Sequence, residues 1–136
     1  MPTLPDSISA IINKPTTDLK VIFEVEEGQK AVFIFVNQSF LRFHGLFRIS
    51  LKENDVLKTT LDSYFRNFLG FTDEEINSRM QTLQIAIDTK KPYSFKEISE
   101  IPNAKPLILE TTWSPIEADG RTYVVWTSRE FEGPAK

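Results

Sequence analysis

Between Leu19 and Val25 apolar and polar side chains alternate, with Val21, Phe23 and Val25 on one side and Lys20 and Glu24 on the other. A period of two predicts a strand. Glu26-Glu27-Gly28-Gln29 supplies turn residues, and the unbroken apolar run Ala31 to Val36 predicts a second strand, covered on both faces, that closes a hairpin with the first. Simple alternation points Phe33 and Phe35 one way and Val32, Ile34 and Val36 the other. Asn37 to Gly45 then reads as one or two helical turns, opened by an Asn cap and closed by Gly. Upstream, Asp6 to Lys14 carries Ile8, Ile11 and Ile12 at i, i+3 and i+4, with Asp6 as a cap, and stops before Pro15. So short a helix is unstable alone in water and must dock its isoleucine stripe on the parent domain or on a second copy.

The middle of the chain is less periodic. Leu57, Leu61, Tyr64, Phe65, Phe68 and Leu69 have helical spacing, whereas Lys52 to Asp55 reads as a solvated loop. Thr72 and Glu75 have the spacing of a capping box, with Phe71 and Ile76 placed for a hydrophobic staple. The helix they open is expected to run to about Thr89 and to bury Ile76, Met80, Leu83 and Ile87. Beyond Pro92 the period returns to two: Tyr93, Phe95 and Glu97 oppose Ser94, Lys96 and Ile98, and two further strands cover Leu107 to Pro115 and Thr122 to Arg129. If Asp119-Gly120 is a two-residue type I′ turn, paired residue numbers across the last hairpin sum to 239, which sets Trp113 opposite Trp126. Leu107, Leu109, Thr111, Trp113, Val124, Trp126 and Ser128 then share the face that suits a core. Ile108, Glu110, Thr112, Tyr123, Val125 and Thr127 share the other. The order of elements predicts an α+β fold, a five-stranded antiparallel sheet with helices on one face, plus the short N-terminal helix.

At 136 residues, 40% hydrophobic and 26% charged, the chain has the size and composition of one soluble domain. A net charge of -3 and no basic cluster speak against a nucleic-acid surface. No apolar run approaches the roughly 20 residues needed to cross a bilayer, and the first residues lack a signal peptide's pattern, so a cytoplasmic location without membrane contact is expected. The absence of cysteine removes disulfides, thiolate metal sites and sulfur adducts. Phosphate-loop, catalytic-triad and metal-ligand spacings are missing, so no catalytic or metal-binding residue is assigned. His44, the single histidine, is expected to serve as an ordinary helix-end cap. Asn37 is expected to cap locally or to hold the strand exit.

The stretch Phe33-Ile-Phe-Val-Asn-Gln-Ser-Phe-Leu-Arg-Phe-His-Gly45 resembles the opening of a PAS domain, in which a strand delivers an Asn, a buried Phe, a short helix and a Gly. Leu83 to Glu97 is similar to that family's long helix and third strand, and Leu109-Glu-Thr-Thr-Trp-Ser-Pro-Ile116 to its fourth strand. Thr127-Ser-Arg-Glu-Phe131 resembles the family's exit signature, although the usual Asp and Thr are replaced here. The likeness covers Leu19 to Phe131 and implies a domain at 19–131, an N-terminal helix and linker at 1–18 and a stub at 132–136. It implies a non-enzymatic sensory module, as in a bacterial sensor histidine kinase, that regulates a linked output domain and forms a homodimer. No cofactor is expected, since there is no cysteine for a flavin adduct and no histidine on the long helix for haem. Phe33, Phe35, Phe40, Leu83, Ile87, Phe95, Leu109, Thr111, Trp113, Trp126 and Ser128 would line a pocket for a small apolar or aromatic ligand. The competing reading is that the same side chains fill the core. Ile8, Ile11, Ile12, Val32, Ile34, Tyr123, Val125, Arg129 and Glu130 would form the dimerisation and signalling surface, with Val36 and Ile108 extending the apolar outer face. A small α+β enzyme with a cone-shaped pocket, or a pure dimerisation module, are the alternatives.

Overall fold

A computed structural model describes residues 4–26, 30–45, 49–99 and 106–130. The chain runs α1 (Asp6–Asn13), β1 (Leu19–Glu26), β2 (Lys30–Val36), α2 (Gln38–Gly45), α3 (Glu53–Val56), α4 (Leu61–Asn67), α5 (Asp73–Thr89), β3 (Tyr93–Ser99), β4 (Leu107–Ala118) and β5 (Arg121–Glu130). The five strands form one sheet in the order β2-β1-β5-β4-β3, and every neighbouring pair is antiparallel. The turn expected at Asp119-Gly120 and the Gly-containing turn at 26–29 differ in what can be said of them. Asp119 and Gly120 have φ of 52° and 75°, the positive pair that a type I′ turn requires. The second turn lies largely outside the described residues. From Ala118↔Arg121 to Leu109↔Glu130 the β4–β5 partners keep the expected register, with Trp113 opposite Trp126.

One register shift reorganises the first hairpin. Ile22 pairs with Phe35 but Phe23 pairs with Phe33, so β2 carries one extra residue there. Such a bulge reverses the alternation beyond it. Val36, expected on the outer face, therefore belongs to the main core, whereas Phe35, expected in a pocket, packs with Ile34 against the outer cluster. Burial on both faces falls to β1 rather than to β2: Leu19 through Phe23 are all buried. Lys20, expected on a polar face, is among them.

The helix expected from Leu57 onward starts only at Leu61, as α4, and a separate helix, α3, precedes it over the expected loop. α3 is one turn, held by the Asp55 carboxylate accepting from the Lys52 amide, so this stretch is not an open loop. The chain then reverses at Lys58, with φ of 71°, and lies along the free edge of β2. There the Phe33 amide donates to the Thr59 carbonyl, the Lys58 amide donates to the Phe33 carbonyl, and Val32 bridges Thr60. The backbone groups of Phe33 left over by β1 outweigh the helical spacing of the side chains. α5 begins at the expected capping box: the Glu75 amide donates to the Thr72 hydroxyl, and the Glu75 carboxylate accepts from the Thr72 amide. It stops at Lys90 in the left-handed conformation.

α2, α4 and α5 cover one face of the sheet over a core of aromatic rings. Phe23, Phe33, Phe40, Tyr64, Trp113 and Trp126 form its centre, with Phe23 and Phe33 centroids 4.8 Å apart and the two tryptophans 5.5 Å apart. α1 covers the other face, on its own sheet, with Ile8 fully buried against Ile22, Tyr123 and Val125. Pro5 rather than Asp6 stands at its cap position. Its far end is held by Lys20, whose ammonium donates to the Ile11 and Lys14 carbonyls beyond the last full helical bonds.

Candidate functional site

The centre of the core is closed. Phe33 and Phe40 are wholly buried and Leu83 nearly so, and none of the three lines the cleft that opens beside them. Space opens instead to one side, between the α4–α5 junction and strands β3 to β5, as a cleft of about 560 Å³. Of the side chains expected to hold a ligand, Leu109, Thr111, Trp113, Trp126 and Ser128 line it. Ile87 and Phe95 pack on the core without reaching it, and Phe35 lies on the opposite face of the sheet.

Local folding explains the remaining wall. α4 places Tyr64 and Phe65 on the cleft; Gly70, with φ of 67°, turns the chain so that Phe71 stacks on Phe65 with centroids 5.4 Å apart. Nearly two turns into α5, Arg79 lays its guanidinium over the Phe71 ring at 4.2 Å and pairs with Glu97 of β3 at 3.2 Å. Both charged groups line the cleft and are only about a quarter exposed, 25% and 22%. The sequence reading assigned neither, although the signal was present. Arg79 interrupts the apolar stripe three residues after Ile76 and four before Leu83, and Glu97 falls on the inner side of the β3 alternation.

A line of hydrogen bonds crosses the cleft wall. The Trp126 indole N–H donates to the Ser128 hydroxyl at 2.9 Å, Ser128 and Thr111 are 2.8 Å apart, and the Thr111 hydroxyl donates to the Glu97 carboxylate at 3.3 Å. Trp113 is oriented separately, donating to the Thr82 hydroxyl of α5 at 2.8 Å. Behind the cleft, Tyr64 bonds the Nε2 of His44, whose Nδ1 bonds the Phe40 carbonyl at 2.7 Å. His44 is thus a buried core histidine, 1% exposed, and not the helix-end cap expected from its place beside Gly45. Burial holds its pKa below the ordinary imidazole value, with the Phe40 carbonyl working in the other direction. The Tyr64 hydroxyl is pushed well above the usual phenol range, first by burial and then by the negative charge of Glu97.

Asn37 does the local work expected of it. Its side-chain oxygen accepts from the amides of Phe40 and Lys20, and its amide donates to the Asp18 carbonyl, tying the start of β1 to the start of α2. Leu19, next along β1, lines the cleft, while Lys20 on the opposite face grips α1.

On the outer face, Ile8, Ile11, Ile12, Ile34, Tyr123 and Val125 form one cluster. Val32 is outside it, half-buried at the edge that Thr60 covers. Ile108 is 42% exposed beside its partner Ile98, at 69%, both outside the cluster that α1 joins. Arg129 pairs with Glu110 at 2.8 Å and Glu130 ends β5 opposite Leu109. Phe131 and the stub at 132–136 lie outside the described residues. Among the described residues no helix is long and apolar enough to cross a membrane, and no three carboxylate or imidazole groups cluster in a way that could hold a metal.

No family model matches the sequence, and no curated protein matches it. Solved structures do match. The PAS domain of BvgS from Bordetella pertussis superposes with a TM-score of 0.67 at 10% identity, covering 92% of this chain and 85% of that one. A fungal LOV domain photoreceptor gives 0.61 at 12% identity with 92% of each chain covered. The PAS domain of an HTR-like protein from Haloarcula marismortui gives 0.52 at 17% identity, covering 93% and 99%. At such identities the likeness is one of architecture, shared over nearly the whole chain, and by it this chain has the PAS fold.

Proposed function

We propose that this chain is a sensory domain that binds a small ligand with an aromatic or apolar body in the cleft between the α4–α5 junction and β3 to β5. The observation that carries this reading is the wall itself. Six aromatic side chains, Phe43, Tyr64, Phe65, Phe71, Trp113 and Trp126, surround a few convergent polar groups in a space of the size that small-molecule sites commonly have. The reading assigns no catalytic residue, in keeping with a Glu97 carboxylate already engaged by Arg79 and Thr111.

The response is a population shift, in which ligand favours one arrangement of sheet and flanking segments. β1 offers a direct route, since Leu19 meets the cleft and the adjacent Lys20 holds α1 on the other side. Arg129 and Glu130 at the end of β5 are the second route out. The output is a linked domain of a longer cytoplasmic protein, such as a bacterial histidine kinase, and the domain works as a homodimer. With α1 folded onto its own sheet, the open β3–β4 half of the outer face, carrying Ile98 and Ile108, is the surface left for a second copy.

Native mass spectrometry of the chain purified from cells, followed by amide-resolved NMR with the compounds it retains, tests the ligand reading. Retained compounds that shift the signals of Arg79, Thr111 and Ser128 support it. Compounds that leave those signals unmoved, or a chain that neither retains nor binds any, refute it. Equilibrium sedimentation of the wild type and of Ile108→Glu tests the dimer, which the substitution is expected to dissociate.

A further inference from the structure

The hydrogen-bond line on the cleft wall has a direction, and the direction restricts what can bind. The indole N–H of Trp126 can only donate, and the carboxylate of Glu97 can only accept. Between them stand two hydroxyls, each with one hydrogen. Trp126 gives its hydrogen to Ser128, and Thr111 gives its own to Glu97, the stronger acceptor because it is charged. Ser128 must then donate to Thr111 across their 2.8 Å contact. Every hydrogen in the line is consumed inside the protein. The other indole N–H, of Trp113, is taken by Thr82.

Arg79, the cation beside the line, has its charge paired within the protein, its Nε 3.2 Å from the Glu97 carboxylate, and spends a second of its five N–H groups on the Glu75 carbonyl, to which Nη1 donates at 3.1 Å. What Thr111, Ser128 and Glu97 retain toward the cleft is lone pairs. Glu75 and Glu97 against Arg79 also leave the lining with more acidic than basic side chains.

We infer that the cleft selects a planar or aromatic ligand carrying an N–H or O–H donor, neutral or cationic, and discriminates against anions. This deepens the proposed ligand reading and rests on it. Thr111 is the residue that sets the polarity, since without its hydroxyl the line is cut between Ser128 and Glu97.

The test is a titration followed by amide-resolved NMR with four probes of one ring system: indole, 1-methylindole, tryptamine and indole-3-acetate. Indole and tryptamine are expected to shift cleft amides, and 1-methylindole, which has lost only the donor, to bind roughly five- to tenfold more weakly, the worth of one net hydrogen bond. Thr111→Val keeps the side-chain shape and removes the hydroxyl. In it the ratio between indole and 1-methylindole is expected to fall towards one, a comparison that cancels the extra bulk of the methyl group.

Indole-3-acetate binding as tightly as tryptamine, or an indole preference unchanged in Thr111→Val, overturns the inference while leaving a ligand-binding cleft in place. Failure of all four probes to move any cleft amide also overturns it. The ligand reading falls only if, in addition, the chain from cells binds nothing or retains compounds that leave the cleft amides unmoved.

Discussion

Replacing Tyr64 with Phe removes a single oxygen from the molecule and tests how the buried core is wired. The Phe40 carbonyl can only accept, so the His44 Nδ1 facing it at 2.7 Å carries the hydrogen of the neutral ring. Nε2 is then a bare acceptor, and the Tyr64 hydroxyl is its donor. With His44 1% and Tyr64 2% exposed, the lone pair that Tyr64→Phe orphans has little access to water. An unsatisfied buried acceptor costs about 1–3 kcal/mol, whereas removing both partners together costs less than the two losses added. Urea unfolding at pH 8, where the ring is neutral, is the assay. With a slope of about 1–3 kcal/mol per molar for a chain of this size, the midpoint is expected to drop by about 1 M. His44→Leu combined with Tyr64→Phe is expected to be more stable than the sum of the single losses predicts, by about 1 kcal/mol. An unmoved midpoint in Tyr64→Phe, or strict additivity in the pair, would refute the assignment of donor and acceptor.

The same histidine makes stability depend on pH. Its native pKa is held below the ordinary 6.5, so the unfolded chain takes up the proton at higher pH than the folded one. Its contribution is complete above pH 6.5 and is lost as pH falls from there through the lowered native value. The wild-type urea midpoint is expected to fall more steeply through that window than that of His44→Leu, and parallel curves would count against it. Thr72→Ala removes the hydroxyl that accepts from the Glu75 amide and is expected to destabilise by about 1 kcal/mol, read as a lower denaturation midpoint. Lys20→Met keeps the buried stem but leaves the Ile11 and Lys14 carbonyls without the ammonium. Loss of those charge-assisted bonds, about 1–2 kcal/mol at the end of a short helix, is expected to speed hydrogen exchange in the last turn of α1 by about 5- to 30-fold, with little change in the β5 core.

What could be read from the sequence and what could not divide along a physical line. The β4–β5 register was legible because a two-residue turn with two positive φ values leaves the strands no freedom to slip, and the turn residues Asp119-Gly120 announce it. The start of α5 was legible because a capping box is local chemistry, closed within four residues. The bulge in β2 was not. Ala31 to Val36 is apolar at every position, so no polar residue marks the inner or outer side, and only packing against β1 and α1 decides that Phe35 faces out and Val36 faces in. The break before α4 was hidden for a related reason. The backbone of Phe33, far away in sequence, takes up Lys58 and Thr59, and side-chain spacing carries no record of that demand. The candidate site was legible only in part, because apart from Thr111 and Ser128 its expected residues were apolar. Phe33, Phe40 and Leu83 lie in the core away from the cleft lining, and the choice passed over Arg79 and Glu97, which pair across α5 and β3. A charged residue on an otherwise apolar helical stripe, paired with one on the inner side of a strand alternation, is therefore a better pointer to a cleft than the aromatic residues beside it. The aromatics are equally at home in a filled core, whereas a half-buried ion pair needs an opening beside it that keeps part of its hydration.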